Sequence, residues 1–213
     1  VAPPTLHASL PELVDRARAV LGDGAPRRLL GLAGPPGAGK STLAAGLVAA
    51  LSPRAVLVPM DGFHLSNAVL RALGRRGRKG APDTFDAAGY AHLLRRLRDV
   101  EAGTVYAPDF DRDLDEPVAA AVAVPPQAGL VVTEGNYLLL DDGAWPAARS
   151  CLDAVWYLEL PDEERRRRLR ARHERHGMDP ASAAAWTEGT DEPNATLVRA
   201  VRDRADLVVV LED

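Results

Sequence analysis

The sequence predicts an α/β fold of three layers, α/β/α, with a central, mainly parallel sheet and a helical lid. Short apolar runs recur without polar alternation at 29–33, 55–59, 130–133, 154–160 and 207–211, as strands covered on both faces require. Between them lie segments of helical composition or period, and strands alternating with helices build parallel sheets. No repeat, low-complexity tract or domain-length linker breaks the pattern. Residues 1–213 are therefore expected to form a single domain, with the lid at about 161–178.

Taken in order, Ser9-Leu10-Pro11-Glu12 reads as a helix start: a capping serine, a first-turn proline, and a glutamate three residues after the cap. That helix should run to Leu21 and stop at Gly22-Asp23-Gly24. Arg27 to Ala33 holds the first buried strand, and a glycine-rich loop leads from it into an alanine- and leucine-rich helix at 41–51. Ala55 to Pro59 is the second strand, closed by Met60-Asp61-Gly62. His64 to Leu73 is expected to be helical, followed by a basic, glycine-rich loop at 74–80. Tyr90, Leu94, Leu97 and Glu101 mark two faces of a helix whose Arg95, Arg96 and Arg98 can point to water. The stretch 104–127 reads as short strands and loop. A strongly charged helix is expected at 161–176, further helices from 179 and at 195–204, and a last strand at 207–211.

Composition narrows the function classes. A net charge of −4 argues against broad nucleic-acid binding, which demands surplus basic charge. One cysteine, Cys151, excludes an intramolecular disulfide and fits a reducing cytoplasm. No apolar run reaches the roughly 18–20 residues needed to span a bilayer, and the first ten residues lack a secretory pattern.

Gly34-Pro35-Pro36-Gly37-Ala38-Gly39-Lys40-Ser41 matches G-x-x-x-x-G-K-[ST] in full, between an expected strand and an expected helix. Glycines let successive backbone N–H groups turn inward around a phosphate, and the helix N-terminus adds its positive end. Lys40 can reach the β- and γ-phosphates of ATP, the Ser41 hydroxyl can ligate Mg²⁺, and Thr42 can add an α-phosphate contact. This makes the chain a P-loop nucleotide binder. A guanine-reading Asn-Lys-x-Asp motif and a transporter Leu-Ser-Gly-Gly-Gln signature are both missing from the sequence.

Asp61 follows a buried strand, at the edge where open parallel sheets bind ligands, and can accept the proton of an attacking hydroxyl. It can equally cap the following segment. His64 is either an acceptor contact or a structural residue at a helix start.

Three segments make the pattern specific: Asp61-Gly62-Phe63, Arg78-Lys79-Gly80-Ala81-Pro82-Asp83-Thr84-Phe85-Asp86, and Ala107-Pro108-Asp109-Phe110-Asp111. With the ending 202–209, they resemble the phosphoribulokinase/uridine kinase family, nearest its bacterial pantothenate kinase-like branch. The resemblance covers nearly the whole chain after Leu29. It implies transfer of the γ-phosphoryl group of MgATP to a hydroxyl of a small sugar or pantothenate-like acceptor. A nucleoside kinase or a nucleoside monophosphate kinase remains the alternative, and a homodimer is also open.

Glu134 ends the strand 130–133 in a Walker-B-like arrangement, where it can hold Mg²⁺ beside Ser41. Related kinases keep a glutamate-glycine pair there. Seven arginines lie between 165 and 175, most expected on a solvated face. The spacing Arg168-Leu169-x-x-Arg172 resembles the family lid, so Arg168 and Arg172 are the expected ATP contacts. His173 and His176 are not spaced as H-E-x-x-H and are not expected to bind metal. Lys79, Asp83, Phe110 and Arg112 lie in segments that resemble acceptor-binding loops, as does Asp115. Gly80 and Asp115 stand where uridine kinases carry aspartate and histidine, which weighs against nucleoside specificity. Trp186, Asp191 and Asn194 resemble a pattern of this branch, with core or capping roles ranked above ligand contact.

Overall fold

The computed structural model describes residues 2–22 and 26–212. Its strands are β1 (Thr5–Ala8), β2 (Arg28–Ala33), β3 (Ala55–Leu57), β4 (Val105–Asp111), β5 (Glu116–Val124), β6 (Leu130–Glu134), β7 (Ala154–Glu159) and β8 (Leu207–Leu211). Six of them form one sheet in the order β1-β8-β7-β2-β6-β3, and every pairing is parallel. β4 and β5 form a separate antiparallel hairpin.

Alternate residues of the buried strands serve opposite faces. Leu29, Val131, Val155 and Val208 pack with helices α4 (Ala87–Leu97), α5 (Trp145–Arg149) and α8 (Glu192–Ala200). Leu30, Leu32, Val132, Trp156 and Val209 pack with α1 (Leu10–Leu21) and α2 (Lys40–Leu51). This is the α/β/α sandwich expected from the unalternated apolar runs. Arg27 is an exception that the burial makes costly: it is 1% exposed. Its guanidinium compensates by donating to the carbonyls of Ala128, Leu97 and Pro125 at 2.7–2.9 Å.

The start of α1 follows its sequence signal. Both the Ser9 backbone N–H and its hydroxyl donate to the Glu12 carboxylate, at 2.8 and 2.7 Å. The expected stop at Asp23-Gly24 lies outside the described residues. Elsewhere the boundaries shift for physical reasons. β1, absent from the sequence reading, is short and half-exposed, and its existence depends on β8 as partner. The helix expected over 64–73 shrinks to α3 (Asn67–Ala72), because His64 bridges to Phe85 and Ser66 caps the shorter helix. Glu101 falls beyond α4, in a 3₁₀ turn that Asp99 caps. The last helix ends at Ala200, and Arg202–Arg204 is a separate 3₁₀ turn.

The charged helix is α6 (Asp162–Arg175). After it, α7 (Pro180–Trp186) continues through a π-helical turn, Thr187–Asp191, into α8. No helix among the described residues is long and apolar enough to cross a membrane.

Candidate active site

Because β2, β6 and β3 are neighbours, their carboxyl ends bring the 34–39 loop, Glu134 and Asp61 to one edge of the sheet. Gly37 holds φ 83°, in the left-handed region. A Cβ there would also lie 2.8 Å from Leu169 Cγ and 2.9 Å from the Arg165 carbonyl, both on α6. The loop thus runs against α6 with no space for a side chain. Gly62 plays the matching part beside Asp61, since a Cβ on it would fall on the Pro108 carbonyl. Glycine here lets the β4–β5 hairpin close over the acid.

Ser41 Oγ donates to Glu134 Oε1 at 3.0 Å, so the P-loop hydroxyl and the strand-end acid share one position. Glu134 is buried, and that burial, reinforced by the charge of Asp61, raises its pKa. Lys40 Nζ donates to the carbonyls of Gly34 and Pro35 and to Asn136 Oδ1, at 2.7–3.0 Å. Desolvation lowers its pKa to about 8, and Arg172 and Arg165 push the same way, against Glu134 and Asp61. Asp61 has one ionic partner among the described residues, Arg112, at 3.6 Å. Arg172 lines the cleft too, and burial lowers its pKa against the opposing charge of Asp191.

The cleft encloses about 1000 Å³ between the P-loop, α6, the hairpin and the α7–α8 segment. Eight lysine or arginine side chains and four carboxylates line it, in a chain whose net charge is negative. Such a local surplus suits a polyanion.

No family model matches the chain. A protein of Schizosaccharomyces pombe (strain 972) named "Putative uridine kinase C227.14" is 35% identical over 216 residues, covering 95% of this chain and 90% of that protein. The pantothenate kinase of Leifsonia xyli subsp. xyli is 30% identical, with 85% of this chain and 65% of that protein covered. A solved structure described as a "putative fructose transport system kinase" from Silicibacter sp. TM1040 superposes with a TM-score of 0.86 at 40% identity, covering 94% of this chain and 98% of that one. The chain belongs to the phosphoribulokinase/uridine kinase family of P-loop kinases.

In this P-loop kinase, most residues singled out from sequence converge. Pro36, Gly37, Gly39, Lys40, Ser41 and Thr42 line the cleft, while Gly34, Pro35 and Ala38 form the rest of the loop. Asp61, His64, Phe110, Arg112, Glu134, Arg168 and Arg172 line it as well. Arg168 Nη1 lies 3.8 Å from where a Cβ on Gly39 would stand, and its Nε is held by Glu164 at 2.7 Å. Lys79 reaches the cleft wall, but its ammonium is engaged by Asn67, by the Asp115 carbonyl and by the Asp115 carboxylate. Asp83 stands apart from these residues. It does not line the cleft but pairs with Arg78 at its side-chain carboxylate, and with Arg75 at 3.4 Å, in the exposed loop.

For four further residues the fold supplies contacts that the sequence does not show. Asn136 holds Lys40. Arg165, expected among the solvated arginines, is fully buried; it donates to the Pro36 carbonyl at 3.3 Å and pairs with Glu192 and Asp162. His173 and Asp191 meet at 2.7 Å across the gap between α6 and α8. Among the described residues no group of three or more His, Cys, Asp or Glu could cage a metal. Ser41 and Glu134 instead offer the few hard oxygens that Mg²⁺ uses beside phosphate ligands.

Proposed function

We propose that the protein is an ATP-dependent kinase that moves the γ-phosphoryl group of MgATP onto a hydroxyl of a small metabolite. One observation carries the reading: two carboxylates from adjacent strand ends, Asp61 and Glu134, share the cleft with Lys40, and Ser41 bonds Glu134. Structural acids would not need to converge on a phosphate loop.

Each residue then has a task it can perform where it stands. Backbone N–H groups of 34–41 and the start of α2 cradle the phosphates. Lys40 leaves its carbonyl partners and Asn136 to meet phosphate oxygens. Ser41 and Glu134, the latter directly or through water, would hold Mg²⁺, which when bound would supply positive charge to neutralise the phosphates. Asp61 accepts or orients the proton of the attacking hydroxyl, with the Arg112 guanidinium 3.6 Å away. Arg172, with Arg168 nearer the loop, faces the charge that spreads over the transferred group.

The test is Asp61→Asn. Loss of a general base predicts a fall in kcat of roughly 10²–10⁴-fold, with ATP affinity nearly unchanged. Turnover at the wild-type level in a coupled ADP-release assay would remove Asp61 from the chemistry and leave only nucleotide binding.

A further inference from the structure

Helix α6, which walls the cleft beside the P-loop, is gripped at two points by one short segment. Arg165, near its start, is fully buried and pairs with Glu192. His173, two turns further on, places Nε2 2.7 Å from Asp191 Oδ2. The two acids are neighbours in the chain, where the π-helical turn passes into α8. The two basic residues stand about 12 Å apart along the helix axis. Adjacent acids that reach points two turns apart oppose both tilt and rotation of α6.

Arg172 lies between the grips and differs from the other arginines of this helix. Arg165, Arg166, Arg167, Arg168 and Arg170 each hold a carboxylate, and Arg175 donates to the Ala171 carbonyl. Arg172 lines the cleft with no hydrogen bond or ion pair from its side chain among the described residues. Burial lowers its pKa, and Asp191 is the acid that opposes this most strongly. The carboxylate best placed to capture Arg172 is thus the one that His173 already holds. An ionised carboxylate can only accept, so His173 donates through Nε2. Asp191 is 7% exposed, which leaves little room for water to hold it instead. Without the imidazole its side chain would be free to turn to another rotamer, toward Arg172.

We propose that His173 is a positioning residue: by holding Asp191 it keeps Arg172 unpaired and available to the transferred phosphoryl group. This rests on the kinase reading and adds to it the device that keeps the cleft arginine free. An arginine bound to an internal acid must give up that bond to meet phosphate, so its net contribution shrinks. A plain tie between α6 and α8 makes a different prediction, because removing both partners of a tie cannot restore what removing one has lost.

The experiment measures, by calorimetry with Mg²⁺ present, the affinities of ADP and of an ATP analogue with an imido β–γ bridge. Only the analogue carries a γ-phosphoryl group, and neither probe needs an acceptor. The wild type should prefer the analogue, and Arg172→Ala should cut that preference by roughly tenfold or more, the weight of one hydrogen bond between charged groups. His173→Ala should lose most of the same preference, with ADP affinity within about twofold of wild type. Adding Asp191→Asn to His173→Ala removes the competing charge and should bring the preference back to within about threefold of wild type. His173→Gln, whose amide can donate to Asp191, should also retain it. If Arg172→Ala lowers the preference and His173→Ala does not, the positioning role falls and the kinase reading stands. If the double variant stays as poor as His173→Ala, or His173→Ala loses ADP binding as well, the pair is a structural tie and the proposal falls. If Arg172→Ala changes nothing, Arg172 does not meet the γ-phosphoryl group, and its part in the kinase reading falls too.

Discussion

The two halves of the cleft are built differently. The phosphate half stands on the ends of two adjacent central strands, β2 and β6, and its groups touch one another directly: Ser41 with Glu134, Lys40 with Asn136, Arg165 with Pro36. The acceptor half stands on peripheral pieces: the hairpin, 3₁₀ turns at 60–63 and 76–84, and the π-helical turn before α8. The first half must meet a ligand whose charge and spacing never vary. The second half can be rebuilt, because short turns and hairpins tolerate change that central parallel strands do not. Chemistry and specificity are thereby carried by elements of different rigidity.

The sharpest way to break this contrast is to strike the phosphate half at its acid. Glu134→Gln keeps the size and the contact with Ser41 but cannot become a carboxylate for a divalent cation. Turnover should fall by about 10²-fold or more, with the apparent requirement for Mg²⁺ rising alongside it, as loss of a metal-holding group does. Because burial and Asp61 raise the pKa of Glu134, acid pH should mimic the variant in the wild type. Magnesium must displace that proton, so its apparent affinity should climb with pH through the Glu134 titration. A magnesium titration at several pH values checks both statements; a variant with unchanged magnesium demand would place the cation elsewhere.

Arg165 tests whether the lid helix belongs to the rigid half. Its guanidinium is inaccessible to water and is tied to the loop carbonyl and to Glu192 at the start of α8. Arg165→Met leaves Glu192 without its buried partner, though Glu192 retains some solvent and contact with Arg166. That partial relief sets the expected loss at about 2–3 kcal/mol, below that of a fully enclosed pair. For a chain of this size the melting temperature should drop roughly 4–12 °C. A melt unchanged within 1–2 °C, on the order of 0.5 kcal/mol, would mean that α6 is a free lid over its whole length.

The same contrast explains what could be read from sequence. The phosphate loop, Asp61 and Glu134 were legible because each follows an apolar strand, and strand order places strand ends on one edge. Asn136 and Arg165 were not legible. Asn136 matters only through the carbonyl-lined pocket that Lys40 enters, and Arg165 sits among six other arginines whose spacing alone cannot say which one turns inward. The pairing of Asp83 was hidden as well: its segment resembles a family loop, while in the fold Arg75 and Arg78 hold its carboxylate outside the cleft. Pairing of β4 with β5 was hidden too, because alanine-rich 119–123 carries little strand signal of its own.

The mildest probe is pH acting on Lys40. Its pKa of about 8 lies below the value of 10.5 for the free side chain. A lysine depressed by folding binds fewer protons in the native than in the unfolded state between those two values, so stability should rise with pH across that window. Nucleotide affinity should move the other way. Phosphate oxygens favour the ammonium, so above pH 8 binding must recruit a proton that the free protein has begun to lose. Affinity for a non-hydrolysable ATP analogue should therefore fall by up to about tenfold per pH unit above pH 8, the limit for one linked proton. Lys40→Arg keeps its charge throughout this range and should bind with a flat profile, whatever its absolute affinity. If the wild-type profile were also flat to pH 10, Lys40 would not be the group that meets the triphosphate, and the asymmetry between the two halves of the cleft would lose its electrostatic basis.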